Sequence, residues 1–242
     1  ATPRRVGLYR QMKARAAWTP DQIRTYQEKN LRDVIAYCWQ HIPFYREHWR
    51  GHIDDPREIN TIADLHKLPL LTKDQVREHL DTLMTTDPKV KSTEARTGGS
   101  TGKPIIFRMT YHDEQLAWAH MYVGWSWAGY RIGDPFLIVG GESVGIGLGD
   151  KRTLADKVMN RWVTSGSNLT LERTRALTQT PHFHQIRLIY GYPNSIKELC
   201  EHLAQLKIRP AALKGVVCTA EVMLPEVRQR IQEVLGVKVL DQ

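Results

Sequence analysis

Cysteine is scarce in this sequence of 242 residues, which contains three: Cys38, Cys200 and Cys218. Because they are few, odd in number and far apart, they indicate neither a disulfide framework nor a thiolate metal site. Long apolar runs are also missing, since none approaches the roughly 20 residues that a membrane-spanning helix needs. The stretch Ala1–Arg5 has no apolar signal core. We therefore expect no membrane span and a cytoplasmic location.

Clusters of positive charge are missing too, although the chain is basic overall. Its 34 lysines and arginines, against 26 aspartates and glutamates, give a formal net charge of +8. These residues are spread along the chain with no run of five or more, and no aromatic-and-basic signature of an RNA-binding sheet is present. We therefore do not expect nucleic acid as a partner. A distributed basic surface suits polyanionic small molecules such as nucleotides or coenzyme A.

Histidines offer only a weak candidate for a metal site. His182 and His184 lie two positions apart, and no carboxylate or thiolate lies nearby in the sequence. A zinc site takes several His, Cys or carboxylate ligands at characteristic spacings. The sequence therefore predicts no metal-ligating residues.

The first part of the chain is predicted to be helical. Thr19, Pro20 and Asp21 provide a capping hydroxyl, a proline at the first helical position and an acid, and the helix should end before Pro43. Further helix starts are predicted at Thr61 and Thr72. Residues 1–90 contain no group of residues typical of a catalytic site, so we expect this segment to have a structural role.

From residue 91 on, strands and helices alternate. The predicted strands are two within 91–109 and one each at 136–139, 186–190, 213–218 and 237–240. The predicted helices lie at about 112–130 and at 154–162, 171–177, 194–207 and 224–235. Asn194 is predicted to cap the helix at 194–207, and Gly236 to end the helix at 224–235. Alternation with short connections predicts parallel pairing through right-handed crossovers. The sequence thus predicts an α/β fold class, with a helical part at 1–90 and an α/β part at 91–242.

The most informative stretch is Thr97-Gly98-Gly99-Ser100-Thr101-Gly102-Lys103-Pro104. Glycine lets backbone N–H groups crowd around a ligand, and the hydroxyls and the ammonium add further donors, which suits a phosphate. The loop of nucleoside triphosphatases is excluded, because Thr97 stands where its first glycine belongs and Pro104 where its hydroxyl belongs. A strand follows instead of a helix, so the loop joins two strands. A glycine-rich hairpin without a ligand is the alternative.

A second glycine-rich run extends from Gly140 to Gly149. Gly145, Gly147 and Gly149 do not have the spacing of a dinucleotide-binding turn, and no helical stripe begins at Asp150. We therefore reject a dinucleotide fingerprint here. Because loops after strand ends often carry function, we expect a loop beside the substrate.

Aromatic residues line one face of the predicted helix at 112–130. Trp118, Tyr122 and Trp125 are spaced i, i+4 and i+7. The first interpretation of this face is core packing. The alternative is that part of it forms a wall of an apolar ligand pocket, because such pockets are largely apolar and aromatic.

These motifs together resemble a known family. The loop Thr97–Pro104 is similar to the phosphate loop of the adenylate-forming enzymes, and most of all to the phenylacetate–coenzyme A ligase-like branch, which includes CapK-like proteins. Three further stretches agree in order and spacing: Leu68–Lys73, Tyr190–Pro193 and Val217–Glu221, the last similar to the Gly-Ala-Glu loop of the branch. Thr219 stands where the branch often has glycine. The resemblance covers about residues 26 to 242.

The resemblance implies the large N-terminal domain of the adenylate-forming fold, incomplete in this chain. It implies ATP-dependent activation of a small-molecule carboxylic acid as an acyl-adenylate, followed by thioester formation with coenzyme A. ATP, Mg²⁺ and coenzyme A are the implied cofactors. The catalytic lysine and the metal-binding glutamate of the family would lie beyond Gln242, so we expect no catalytic residue within the chain, and we expect the chain alone to be inactive.

The resemblance also implies roles for individual residues. Phosphate contacts are expected from Thr97, Gly98, Gly99, Ser100, Thr101, Gly102 and Lys103. Nucleotide contacts are expected from Thr219, Ala220, Glu221 and Asp241. Substrate contacts are expected from Trp118, Tyr122, Gly140, Gly141, Tyr190 and Gly191. Two alternatives stay open: a non-catalytic relative that only binds nucleotide, and a CapK-type protein of polysaccharide biosynthesis.

Overall fold

The computed structural model of this protein describes residues 2–96, 105–140 and 152–242. Contacts group the chain into two compact units: Arg10–Ala117, called here the hairpin unit, and Ala1–Tyr9 with Trp118–Gln242, called here the sheet unit. The boundary predicted from the sequence at residue 90 stays a prediction. No helix in the described ranges is both long enough and apolar enough to cross a membrane.

Helices dominate the first part of the chain. They are α1 (Pro3–Arg15), α2 (Pro20–His41), α3 (Pro43–His48) and α4 (Lys73–Glu78), with 3₁₀ turns at Pro56–Glu58 and Ile62–Lys67. Thr19 caps α2 as predicted, because its hydroxyl accepts from the Gln22 amide and the Gln22 side chain accepts from the Thr19 amide. The helix predicted after Thr61 is a 3₁₀ turn. It stops at Leu68, which is extended because it precedes a proline.

A two-stranded hairpin follows the helices of the hairpin unit. Strand β1 (Ser92–Arg96) pairs antiparallel with β2 (Ile106–Thr110), which places Arg96 opposite Ile106. The two strands predicted on either side of the glycine-rich loop are therefore confirmed. Residues 97–104 themselves lie outside the described ranges.

Five parallel strands form the core of the sheet unit. They are β3 (Phe136–Gly140), β4 (Arg161–Ser165), β5 (Leu188–Gly191), β6 (Gly215–Cys218) and β7 (Lys238–Asp241), arranged in the order β4-β3-β5-β6-β7. All four neighbouring pairs are parallel. Strands β3 and β6 are buried along their whole length. Burial on both faces is typical of a parallel sheet with helices on both sides.

Helices cover both faces of this sheet. They are α5 (Tyr111–Trp127), α6 (Leu154–Met159), α7 (Leu171–Thr178), α8 (Pro193–Leu206) and α9 (Pro225–Leu235). One core contains side chains of α7, α8 and α9, among them Ile196, Leu199 and Ile231. The other contains Tyr122 and Trp125 of α5, with Met159 of α6 packed against it. The predicted α/β class, a helical N-terminal segment followed by mixed and parallel β-sheet layers packed with helices, is confirmed.

The helix predicted at 154–162 is present but shorter than predicted. The helix expected at 154–162 ends at Met159, and the fourth strand begins at Arg161. Asn160 between them adopts a left-handed conformation with φ 55°, which asparagine tolerates better than most residues. The β-branched and aromatic residues that follow then pair with β3, which a helical periodicity count cannot anticipate.

We expect Gly215→Ala to destabilise the sheet unit. A Cβ at this position would lie 2.5 Å from the carbonyl oxygen of Ala128, and overpacking of this kind costs about 1–3 kcal/mol. Gly7→Ala is the matched control, because a Cβ there meets nothing within 4 Å and alanine is favoured in a helix by roughly 0.5–1 kcal/mol. Urea unfolding should show a lower free energy of unfolding for Gly215→Ala and a higher one for Gly7→Ala. Equal changes in the two variants would contradict the close packing of Gly215 against Ala128.

Candidate nucleotide-binding site

The carboxyl ends of the five parallel strands bring predicted site residues to one edge of the sheet, called here the carboxyl edge. The strands end at Gly140, Ser165, Gly191, Cys218 and Asp241. These positions are neighbours in the register, since Gly191 lies opposite Cys218 and Cys218 lies opposite Asp241. Ligands of open parallel sheets bind at this edge. The predicted placement of Gly191 and Thr219 at strand ends is confirmed, while their roles stay predictions.

The strand order contains one reversal of direction. From β3 the chain passes through α6 to β4 on one side, and from β5 it passes through α8 to β6 on the other side. Because crossovers have one hand, these two helices cover opposite faces of the sheet. In doubly wound sheets, ligands generally bind at the point where the strand order reverses. Gly140 and Gly191 lie at this switch point, whereas Gly141 lies outside the described ranges.

Gly191 occupies a position where no side chain fits. A Cβ there would be 1.8 Å from the carbonyl oxygen of Val139. The backbone of the turn is tied to both neighbouring strands: the Tyr192 amide donates to the Val139 carbonyl at 3.2 Å, and the Thr219 amide donates to the Gly191 carbonyl at 3.0 Å. The glycine of the predicted Tyr-Gly-Tyr-Pro turn is therefore required by close backbone approach.

Tyr190 reaches the same edge through its hydroxyl. Its ring packs on Trp125 with centroids 4.9 Å apart. Burial raises the pKa of Tyr190, and a hydrogen bond with the Thr219 side chain acts in the opposite direction. The phenol is therefore neutral near pH 7 and joins the end of β5 to the end of β6. Thr219, where the resembled branch often has glycine, gains this contact.

Ala220 has an unusual backbone conformation. Its φ is 67°, in the left-handed region where a Cβ is disfavoured. Such a conformation persists when the surrounding structure determines it, and it is found more often at ligand-binding turns than elsewhere. The strain supports the predicted placement of the Thr219–Glu221 turn at a binding edge.

The carboxylate of Glu221 holds the start of α8. Its Oε2 accepts from the Asn194 backbone amide at 3.3 Å and from Asn194 Nδ2 at 3.0 Å. The prediction that Asn194 caps the helix is wrong, because the N-cap residue is Tyr192 and makes no side-chain capping bond. A carboxylate from the neighbouring loop takes the place of that cap, and its charge complements the helix dipole. One carboxylate oxygen of Glu221 thus ties the turn after β6 to the start of α8. The predicted nucleotide contacts of this turn stay predictions.

Cys218 is a buried thiol between two carboxylates. Burial raises its pKa to about 12, and the charges of Asp241 and Glu221 act in the same direction. A thiol of this kind stays protonated near pH 7 and is a poor nucleophile. Asp241 ends β7 and is exposed. Within the described ranges, no three His, Cys, Asp or Glu side chains are grouped to hold a metal ion.

The aromatic face of α5 is mostly core. Tyr122 is 2% exposed and Trp125 is fully buried, and both belong to the core beneath the sheet. Trp118 is half-buried, and the guanidinium of Arg5 lies 5.0 Å from its ring centroid. Core packing therefore accounts for Tyr122 and Trp125. Substrate contacts from Trp118 and Tyr122 stay predictions.

Sequence reasoning missed the contribution of β4 to the edge. Ser165 ends this strand and Ser167 follows it, with their hydroxyl oxygens 3.1 Å apart. The Gly166 amide donates to the Gly140 carbonyl at 2.8 Å. The run Arg161–Ser165 has the β-branched and aromatic composition of a strand, which was the available signal. The phosphate-loop residues Thr97–Lys103 lie outside the described ranges.

We expect Glu221→Ala to lower the free energy of unfolding by about 0.5–2 kcal/mol, the usual cost of losing a helix N-terminal cap. Glu221→Gln should recover much of this loss, because its amide oxygen can still accept from Asn194. Glu198→Ala, an exposed acid within α8, is the matched control. Thermal unfolding measures the difference, and equal effects of Glu221→Ala and Glu198→Ala would show that the capping contact is not formed.

Comparisons with known proteins show which sequences this chain is similar to. No protein-family model matches the chain. It is 26% identical over 225 residues to a phenylacetate–coenzyme A ligase of Thermus thermophilus, which covers 90% of this chain and 49% of that protein. A phenylacetate–coenzyme A ligase of Pseudomonas putida is 25% identical over 226 residues, covering 91% and 50%. Protein CapK of Staphylococcus aureus is 23% identical over 223 residues, covering 89% and 48%.

Solved structures agree in fold. An open conformation of 2-hydroxyisobutyryl-CoA ligase, in complex with 2-HIB-AMP and CoA, superposes with a TM-score of 0.67 at 20% identity, covering 92% of this chain and 53% of that one. The same ligase in the postadenylation state gives a TM-score of 0.68 at 22% identity, covering 92% and 48%. The chain spans about half the length of the curated relatives it matches. The predicted resemblance is therefore confirmed: over some 90% of its length this chain is similar to the phenylacetate–coenzyme A ligases and CapK.

Proposed function

We propose that this chain supplies the nucleotide-binding residues of an adenylate-forming acid–thiol ligase. The enzyme would activate a small-molecule carboxylic acid with ATP and pass the acyl group to coenzyme A. The proposal rests on the phosphate-loop motif Thr97–Pro104 within a chain that is similar to phenylacetate–coenzyme A ligases over 90% of its length. The hairpin that flanks the loop supports it, since both ends of the loop are anchored in paired strands.

The loop suits the phosphates of ATP. In this proposal the hydroxyls of Thr97, Ser100 and Thr101 donate to phosphate oxygens, with backbone amides of the glycines helping. The ammonium of Lys103 supplies charge as a point cation. Mg²⁺, when bound, would neutralise further charge on the phosphates.

The carboxyl edge suits the base and the sugar of the nucleotide better than its phosphates. Glu221 and Asp241 place two carboxylates there, and anionic phosphates would be repelled by them. A neutral base and ribose hydroxyls can instead hydrogen-bond to the Thr219–Glu221 backbone, and Asp241 could accept from the adenine amino group. The engagement of Glu221 with Asn194 supports a role for backbone atoms in this turn.

Two transfers make up the proposed reaction. A carboxylate oxygen of the acid attacks the α-phosphorus of ATP and expels pyrophosphate, so the phosphate donors must stabilise charge that develops in the transition state. The thiol of coenzyme A then attacks the acyl carbonyl of the adenylate and releases AMP. The acid itself would contact Gly140, Tyr190 and Gly191 at the ends of β3 and β5. Gly141, outside the described ranges, and the half-buried Trp118 are further proposed contacts, whereas core packing accounts for Tyr122.

We expect Lys103→Ala combined with Ser100→Ala to weaken ATP binding by at least roughly 10- to 100-fold, because one charge-assisted hydrogen bond contributes about 1.5–3 kcal/mol. Lys89→Ala is the matched control: it removes an exposed lysine before the hairpin and should leave the affinity unchanged. Isothermal titration with ATP and with a nonhydrolysable acyl-adenylate mimic provides the measurement. No binding of either ligand would remove the proposal.

A non-catalytic nucleotide binder would pass that binding test. Pyrophosphate exchange, measured on the natural full-length protein with a panel of aryl and aliphatic acids, separates the two cases. Exchange that depends on an added acid supports the ligase. ATP binding without exchange on any acid supports the binder.

A further inference from the structure

A cavity of about 680 Å³ lies at the opposite edge of the sheet, called here the amino edge. Three connections bring residues to it: the turn before β5, the α8–β6 connection and the α9–β7 turn. The residues that line it are His184, Lys207, Ile208, Arg209, Pro210, Ala211, Leu213, Leu235, Gly236 and Val237. All of them belong to the sheet unit. The volume lies within the range of small-molecule pockets.

The charged residues that line this cavity have one sign. Lys207 and Arg209 are cationic, and no aspartate or glutamate is among the lining residues. Elsewhere in the sheet unit, Arg161 pairs with Asp156 and Arg230 pairs with Glu201. Within the described part of the chain, Lys207 and Arg209 have no such carboxylate partner. Their donors are therefore available to an anion.

Two helix C-termini also meet at the cavity, and their dipoles oppose an anion. Each contributes about half a negative charge, so two full positive charges still leave a net positive site. The last carbonyls are partly neutralised as well, because those of Leu203 and Ala204 accept from backbone amides and that of Gln232 accepts from Gly236. The balance of charge favours an anionic ligand.

The backbone of Lys207 places its side chain at the end of α8. Lys207 is the C-cap residue of this helix and adopts the left-handed conformation with φ 55°, as Gly236 does at the end of α9 with φ 68°. Helices commonly end on such a residue. A glycine at position 207 is therefore compatible with the backbone, which makes Lys207→Gly a substitution that removes the cation without disturbing the helix end.

We propose that the amino-edge cavity binds a small phosphorylated compound. The Lys207 ammonium and the Arg209 guanidinium hold the phosphate, since a guanidinium fork matches phosphate oxygens. The organic part lies on the apolar wall formed by Leu213, Leu235 and Val237. This site is distinct from the carboxyl edge and does not depend on the function proposed there.

The test is titration of the protein with phenyl phosphate and with inorganic phosphate. It is made in the Lys103→Ala, Ser100→Ala background, so that the proposed phosphate loop does not contribute. We expect phenyl phosphate to bind more tightly than inorganic phosphate, because it also buries a ring. Lys207→Gly should weaken binding at least tenfold, and so should Arg209→Gln, whereas Lys157→Gln on α6 should leave it unchanged.

Lys207→Gly also controls for folding, because glycine relieves the left-handed strain and should raise the melting temperature. A more stable protein that has lost the ligand cannot be explained by misfolding. Three results would overturn the proposal: no binding of either probe, equal loss in Lys207→Gly and Lys157→Gln, or equal affinity for phenyl phosphate in Lys207→Gly and in its parent. Amide chemical shifts near Ala211 and Gly236 should move on titration, and shifts confined to other regions would likewise contradict it.

Discussion

The contact between the backbones of β3 and β5 is the constraint on which the sheet unit depends. Gly191 lies so close to the Val139 carbonyl that any Cβ would overlap it. This approach lets two parallel strands pair at the point where the strand order reverses. A reversal of strand order is where ligands of doubly wound sheets generally bind, which is why we propose a ligand at the ends of these strands. Gly191 therefore permits the pairing of β3 and β5 at the edge of the sheet where we propose that a ligand binds.

The two edges of the sheet differ in charge and in how their loops are fixed. At the carboxyl edge, Glu221 bridges to Asn194 and holds the turn that contains the strained Ala220. At the amino edge, cations line a cavity where two helices end, and Lys207 is strained in the same way as Ala220. Ala220 and Lys207 thus lie next to proposed ligands of different chemistry, whereas the third left-handed non-glycine residue of the described ranges, Asn160, joins α6 to β4. All strands of a parallel sheet run in the same direction, so the loops that follow the strands lie at one edge and the loops that precede them lie at the other. The two proposed sites are therefore formed by different loops.

Local patterns in the sequence predicted much of this fold but not its cross-strand contacts. Helices α8 and α9 have clear amphipathic stripes, and Gly236 marks the end of α9 as predicted. Strand β4 was missed because its pairing with β3 is not visible in its own five residues. The bond from Asn194 to Glu221 spans 27 positions, so it depends on the register of β5 and β6. In the sequence, Lys207 and Arg209 resemble the other basic residues of a solvated surface. Only the structure shows that both line one cavity.

Hydrogen–deuterium exchange with and without a nonhydrolysable acyl-adenylate mimic tests the central claim most directly, because it reports on each edge separately. Binding of the mimic should slow exchange of amides in the proposed phosphate loop, 97–103, and of amides at Gly191 and in Thr219–Glu221 at the carboxyl edge, while Ala211 and Gly236 at the amino edge exchange as before. Protection confined to the amino edge, or no change anywhere at saturating ligand, would contradict the account.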